Sequence, residues 1–204
     1  VGPDGATHQA VEDIATMRVM ANMRVIVPCD AIEAKKATLA AAGVWGPVYL
    51  RFQREKTPIM TTDDTSFSIG KAEVFFESAR KPEVLIIGCG GLLYNALVAA
   101  RDLEKEKIGS VVLNCHTIKP LDEKKILSLA EKIGAVVTVE EHQVAGGLGG
   151  AIAELLARKL PTPMEFIGMQ GVFGESGAPA DLLKKYGMTA EHIAEAAHRV
   201  LERT

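Results

Sequence analysis

Several residue types that mark specialised protein classes are scarce in this sequence. It contains only three cysteines among 204 residues, Cys29, Cys89 and Cys115, at wide spacing. This odd number favours reduced thiols in a cytoplasmic protein over a disulfide framework or a zinc site. The net charge of −3 leaves no basic excess to neutralise a phosphate backbone, so no nucleic-acid partner is expected. No apolar run is long enough to span a membrane, so no membrane partner is expected either.

The remaining composition is that of an ordinary globular protein. Hydrophobic residues make up 48% of the chain and charged residues 24%, and the length is sufficient to bury a core. The chain begins with Val1 rather than methionine, in a glycine- and proline-containing stretch typical of the interior of a loop. We therefore expect a longer natural polypeptide or a cleaved one.

Strand and helix signals alternate along the chain. Strands are predicted at 23–27, 47–52, 71–77, 84–87, 111–115, 135–139 and 164–167, and helices at 7–19, 30–42, 92–103, 122–133, 151–160, 181–186 and 190–201. Asp30 with Glu33 three residues later is a capping pattern that marks one helix start. The alternation predicts an α/β fold, with a mostly parallel sheet between two layers of helices.

A polar stretch separates two such strand–helix patterns. Residues 55–68 contain Pro58 with several threonines, serines and aspartates, and they offer few apolar anchors. This change in composition is typical of a linker. We predict a first unit at 1–57, a linker at 58–70 and a larger α/β/α domain at 71–204.

The N-terminal loop supplies the first candidate site residues. Gly2 to Gln9 allow a tight turn and place Asp4 and His8 close to the N-terminus of the first predicted helix, where oxygen ligands and anions are favoured. The two side chains could face a polyol or a phosphorylated sugar. From spacing alone, the simpler interpretation is that Asp4 or Thr7 caps the helix and that His8 lies on the surface.

Arg54 is the second candidate. It follows a predicted strand, with Arg51 three positions earlier, and ligands of open parallel sheets gather beyond the carboxyl ends of the strands. A guanidinium there suits bidentate binding of a phosphate. A solvated surface arginine is the commoner case.

Two glycine-rich segments invite functional interpretations that their neighbours weaken. Gly88 to Gly91 lack both the third glycine and the later acidic residue of a dinucleotide fingerprint, which favours a tight strand-to-helix turn. Gly146 to Gly150 follow Glu140-Glu141-His142, and these carboxylates would repel an anion. Three adjacent residues on a strand rarely point the same way, so a structural use is favoured and no metal site is predicted.

Several motifs, taken together, resemble those of transketolases, and the resemblance covers essentially the whole chain. In chain order they are Gly2-Pro3-Asp4-Gly5-Ala6-Thr7-His8-Gln9, Val11 to Ala15, Met17-Arg18, Asn22-Met23, Val27 to Asp30, His116 to Asp122, Val139 to His142 and Phe173 to Gly177. One departure is Ala21, where the family usually has proline. Because the motifs occur in the family's order, the resemblance is more specific than any single one.

The resemblance implies a function and roles for three residues. It implies the tail of a thiamine-diphosphate-binding α/β domain, the pyrimidine-binding domain, up to about Thr57, followed by the transketolase C-terminal domain. The family transfers two-carbon ketol units between ketose and aldose phosphates in the pentose phosphate pathway. His8 would then be the catalytic and substrate-binding histidine, Asp4 would contact a sugar hydroxyl, and Arg54 would bind the sugar phosphate.

The resemblance also implies what this chain does not supply. The glutamate that activates the cofactor and the aromatic residues that hold its pyrimidine would lie upstream of Val1, and the diphosphate and Mg²⁺ sites would lie in another domain or subunit. No cofactor-binding residue is assigned here. The expected partners are sugar phosphates, the missing N-terminal transketolase part and further copies of the chain in a homo-oligomer, with the dimer as the expected form. Alone, the chain is expected to be inactive.

Three alternatives stay open. Deoxyxylulose-phosphate synthases share similar segments but usually carry Thr-His-His, and 2-oxo-acid dehydrogenase β subunits generally carry His-Ser-Gln, whereas this chain has Thr7-His8-Gln9. A catalytically silent assembly or regulatory module is the third. An upstream glutamate in a longer parent chain would distinguish an enzyme from such a module.

Overall fold

A computed structural model describes residues 2–204 of the chain. The strands are β1 Arg24–Ile26, β2 Val48–Leu50, β3 Glu73–Glu77, β4 Pro82–Gly88, β5 Gly109–Asn114, β6 Thr117–Lys119, β7 Val136–Gln143 and β8 Met164–Met169. The α-helices are α1 Asp13–Val19, α2 Ala31–Ala42, α3 Leu93–Lys105, α4 Glu123–Ile133, α5 Leu148–Lys159, α6 Pro179–Lys185 and α7 Ala190–Leu201. Within the described residues, no helix is both long and apolar enough for a membrane crossing.

A five-stranded sheet forms the centre of the C-terminal part. Its strand order is β3-β5-β4-β7-β8, and every neighbouring pair is parallel except the edge pair β3 and β5. Side chains alternate between the faces, so Val84 and Ile86 pack in one buried cluster with α3 and α7, whereas Leu85 and Ile87 pack in another with α4 and α5. The predicted α/β/α fold class with a mostly parallel sheet is confirmed.

A smaller three-stranded sheet, in the order β2-β1-β6, contains both early and late residues. β1 pairs with β2 in parallel and with β6 in antiparallel orientation, Val25 opposite Lys119. β6 is absent from the predicted strands, because a three-residue strand has almost no periodicity and forms only where β1 is available to pair with it. One strand from beyond residue 70 thus belongs to the sheet of the first unit.

The first helix is shorter than predicted. The periodicity predicts a helix over 7–19, but α1 begins only at Asp13. Two short 3₁₀ turns, Gly2–Asp4 and Ala6–His8, precede it, and Gln9 has an extended backbone. His8 therefore lies five residues before α1 rather than at its N-terminus. The preference of a helix N-terminus for anions and oxygen ligands therefore does not extend to His8.

The segment predicted as a linker is held against the start of α2 and the turn between β5 and β6. Asp30 caps α2 through the Glu33 amide, and its carboxylate also accepts from the amides of Met60 and Thr61 at 2.7 and 2.6 Å. Farther along, the ring of Phe67 stacks on the buried ring of His116, with centroids 4.3 Å apart. These contacts give the polar segment a defined path.

Candidate functional site

The N-terminal loop lies against the loop that precedes α6. The Gly177 amide donates to the Gly2 carbonyl at 3.0 Å, and the Gln9 side chain donates to the Glu175 carbonyl at 2.9 Å. Gly5 has φ +80°, and a Cβ there would lie 2.7 Å from Ser176 Oγ. Glycine is thus required both for the turn and for the close approach. Two motifs about 170 residues apart in sequence are brought together here.

His8 is exposed and lines an open cleft between the first unit and the C-terminal part. Its Nδ1 lies 3.0 Å from the hydroxyl oxygen of Thr7, and this contact restrains the orientation of the imidazole ring. The cleft has a volume of about 600 Å³. An accessible imidazole in such a cleft can donate to or accept from a ligand oxygen.

Arg54 lines the same cleft, so the structure brings two of the three predicted site residues to one place. Its guanidinium donates to the carboxylate of Asp4, the third. Both side chains are accessible, Arg54 at 62% and Asp4 at 36%. His8 and Arg54 therefore line one cleft, and Asp4 is paired with Arg54, an arrangement that spacing alone could not predict.

The cleft is also lined by a partly buried polar network that sequence reasoning missed. The Asp13 carboxylate accepts from Tyr49 Oη at 2.7 Å and from Arg51 Nε at 3.0 Å. Arg51 also donates through Nη2 to the carbonyls of Ala10 and Glu141 at 2.7 and 2.9 Å. Burial and the hydrogen bond to Asp13 raise the pKa of Tyr49 to about 12. Arg51 is thus committed to internal contacts, in contrast to Arg54.

The C-terminal part contributes the opposite wall of the cleft. Tyr94 and Asn95 of α3, Met169 of β8 and Leu183 of α6 line it, and Tyr94 is 43% exposed. Glu141 of β7 reaches the cleft as well, where its carboxylate accepts from Gln53 Nε2 at 2.5 Å. The cleft therefore depends on both parts of the chain.

The neighbours of Glu141 point elsewhere and have structural roles. The buried Glu140 carboxylate accepts from the amides of Leu148 and Gly149, both at 2.7 Å, and so occupies the N-terminus of α5. Burial raises the pKa of Glu140 to about 7, against the effect of these amides. A Cβ at Gly147 would lie 2.0 Å from the Glu140 carboxylate, which explains the glycine.

His142 is also buried and engaged. Its Nδ1 lies 2.7 Å from the Gln143 carbonyl, and its Nε2 accepts from the Ala15 amide at 3.3 Å. These contacts require a neutral ring protonated on Nδ1, and burial lowers its pKa. The side chains of Glu140 and His142 thus lie on the same, buried face of β7, with His142 Nδ1 3.7 Å from the Glu140 carboxylate, whereas Glu141 points to the cleft.

The accessible side chains of the cleft suit a hydroxylated, anionic ligand. Arg54 can bind an anionic end group, and His8 can bond hydroxyls. Across residues 2–204, no group of three or more histidine, cysteine, aspartate or glutamate side chains is arranged to hold a metal ion.

Comparison with known proteins identifies the sequence relatives of both parts. The profile described as "Transketolase, C-terminal domain" matches residues 70–193, and that of "Transketolase, pyrimidine binding domain" matches residues 1–60. A 6-deoxy-6-sulfo-D-fructose transketolase subunit, SqwH, from Clostridium sp. (strain MSTE9) is 40% identical over 200 residues, 98% of this chain and 61% of that protein. The 1-deoxy-D-xylulose-5-phosphate synthase of Symbiobacterium thermophilum is 38% identical over 98% of this chain and 31% of its own length.

A solved structure shares the fold closely. It is described as "Split gene transketolase, inactive beta4 tetramer" and superposes with a TM-score of 0.92 at 41% sequence identity. The match covers 97% of this chain and 64% of that one. The present chain thus spans less than two thirds of SqwH and of this solved chain.

Proposed function

Because this chain belongs to the transketolase family, we propose that it is the part of a thiamine-diphosphate-dependent transketolase that contacts the sugar during two-carbon ketol transfer between ketose and aldose phosphates. The observation that supports this most strongly is the common location of His8 and Arg54 in one cleft, with Asp4 paired to the arginine. An imidazole, a carboxylate and a guanidinium match the hydroxyls and the anionic end of a sugar phosphate.

The three side chains have different chemical tasks in this proposal. Arg54 binds the phosphate through charge-assisted hydrogen bonds. His8 donates to or accepts from sugar oxygens and holds or releases a proton at its ring nitrogens while the carbon–carbon bond cleaves. Asp4, when ionised, accepts from one hydroxyl but cannot donate, and so it favours one configuration at that carbon.

The proposal requires components beyond these residues. Thiamine diphosphate supplies the group that carries the two-carbon unit, and Mg²⁺ and the remaining cofactor contacts come from an N-terminal transketolase part or subunit. We further propose a cytoplasmic homo-oligomer of the assembled enzyme, dimeric in its basic form and active in the pentose phosphate pathway. In this proposal, residues 1–57 complete the pyrimidine-binding domain, and residues 71–204 form the transketolase C-terminal domain. Residues 58–70 are the linker between the two domains.

Arg54→Ala tests the proposal in the assembled enzyme. Loss of this charge-assisted contact costs about 1.5–3 kcal/mol, or roughly 10- to 150-fold in KM for D-ribose 5-phosphate. KM for unphosphorylated D-ribose should change far less. Arg101→Ala, an exposed arginine on α3 that does not line the cleft, is the matched control and should leave both values unchanged. Equal losses on both sugars would contradict the role.

A sugar with a terminal sulfonate should be tested in the same KM assay. It presents tetrahedral anionic oxygens as a phosphate does, and the 40% identical SqwH is named for a sulfonated sugar. Comparing the phosphorylated with the sulfonated sugar in wild type shows which anion the cleft prefers. Arg54→Ala should weaken whichever is preferred.

A further inference from the structure

The segment that carries Arg54 has no regular backbone support. We call Phe52–Pro58 the cleft strap, because all seven residues line the cleft. Arg51, just before it, makes the last backbone bond to β1, from its amide to the Ile26 carbonyl at 2.9 Å. Among the described residues, no backbone–backbone hydrogen bond involves the strap itself. Its course must therefore be determined by side-chain contacts.

The main internal contact of the strap is Gln53 with Glu141 of the C-terminal part. Gln53 Nε2 donates to the Glu141 carboxylate at 2.5 Å, and both residues are partly buried. The backbone carbonyl of Glu141 also accepts from Arg51 Nη2 at 2.9 Å. Glu141 thus bonds both Arg51 and Gln53, and Gln53 is the residue immediately before Arg54. A hydrogen bond to a carboxylate is stronger than one between neutral groups.

Gly91 provides the space that this contact needs. A Cβ at Gly91 would lie 1.9 Å from Gln53 Oε1 and 2.8 Å from Thr57 Cγ2, so any side chain there would displace these two side chains of the strap. Its backbone lies outside the left-handed region, so the reason for glycine is space rather than conformation. The Gly88–Gly91 segment, which fails as a dinucleotide motif, therefore has a role in receiving the strap.

From these contacts we propose that Gln53 and Glu141 are positioning residues, through which the C-terminal domain places Arg54 and so sets the affinity for the anionic end of the substrate. This inference rests on the proposed role of Arg54. In this role the pair acts through the strap rather than by binding the substrate itself. It holds the strap in the position from which the Arg54 guanidinium can bind a phosphate in the cleft. A small displacement of a binding group lowers affinity substantially.

The test uses the assembled enzyme, with D-ribose 5-phosphate and D-ribose as acceptors. Glu141→Ala removes the acceptor, and Gly91→Ala places a methyl group where the Gln53 side-chain amide lies. Each should raise KM for D-ribose 5-phosphate about tenfold or more, with kcat and KM for D-ribose nearly unchanged. Glu141→Gln keeps an acceptor oxygen and should restore most of the affinity. Gly43→Ala, where the nearest atom to a new Cβ is 3.6 Å away, is the steric control.

Several outcomes would overturn the positioning role. A purely structural role predicts equal losses on both sugars, and an incidental contact predicts no change. If Glu141→Ala does not fold, KM for the two sugars in Gly91→Ala and Glu141→Gln still tests the positioning role. Arg54→Ala, measured in parallel, separates the two claims. If it discriminates between the sugars and the Glu141 and Gly91 variants do not, only the positioning role fails. If it does not discriminate, the proposed function of the cleft fails and the inference with it.

Discussion

Arg54 donates to the carboxylate of Asp4, so two residues expected to contact different ends of a sugar are joined to each other. The pair is solvent-exposed, and exposed ion pairs contribute only about 0–1 kcal/mol. A phosphate can therefore displace the carboxylate at little cost. When it does, Asp4 is released to accept from a hydroxyl of the same ligand.

This exchange predicts that Asp4→Asn strengthens phosphate binding. Removing the competing negative charge should lower the Kd of the chain for inorganic phosphate by about two- to fivefold, measured by NMR titration. Asp64→Asn, an exposed aspartate of the linker, removes the same charge elsewhere and should have little effect. Weaker or unchanged phosphate binding by Asp4→Asn would show that the ion pair does not compete with the ligand.

His8→Ala tests the second cleft residue. The substitution removes an exposed imidazole that can bond sugar oxygens and move a proton, so kcat/KM of the assembled enzyme should fall by about 10²-fold or more. Thiamine diphosphate affinity should change little, because the role is assigned to the substrate. Wild-type kcat/KM, or a defect confined to cofactor binding, would contradict the assignment.

His116 should make folding stability depend on pH. Burial lowers its pKa from 6.5 to about 4, and its Nε2 has no hydrogen-bond partner among the described residues. The folded state therefore favours the neutral ring. The stability from this group is fully present above pH 6.5 and is lost as pH falls from 6.5 towards 4.

The comparison with His116→Phe isolates this effect, since phenylalanine can keep a stack with Phe67 but cannot titrate. Between about pH 7.5 and about pH 5, the unfolding free energy of wild type should fall relative to the variant by about 2 kcal/mol. Chemical denaturation at the two pH values measures it. Parallel pH dependence of both proteins would show that His116 does not titrate abnormally.

Local signals in the sequence were sufficient for most of the fold. The cap of α2 is a clear case, because Asp30 is a strong capping residue and its carboxylate does accept from the Glu33 amide. The Glu33 side chain, however, bonds the Cys29 amide at 2.7 Å and the Asn114 amide group instead of returning to Asp30. That difference depends on packing against a residue 81 positions away.

Features that depend on tertiary contacts could not be predicted in the same way. β6 is a strand only because β1 lies beside it, and α1 starts late because the loop before it packs on residues near Ser176. For the site, the motif resemblance indicated Asp4, His8 and Arg54 individually. Neither their ion pair nor the contact of Gln53 with Glu141 leaves a local pattern in the sequence.

The most direct test of the central claim is a ketol-transfer assay of this 204-residue chain with thiamine diphosphate and Mg²⁺, alone and after assembly with the complementary N-terminal transketolase polypeptide. D-xylulose 5-phosphate and D-ribose 5-phosphate are the substrates. We predict no turnover by the chain alone and turnover after assembly, lost in large part when the assembled chain carries His8→Ala. Measurable turnover by the isolated chain, or an assembled enzyme that is inactive with these sugars, would contradict the account.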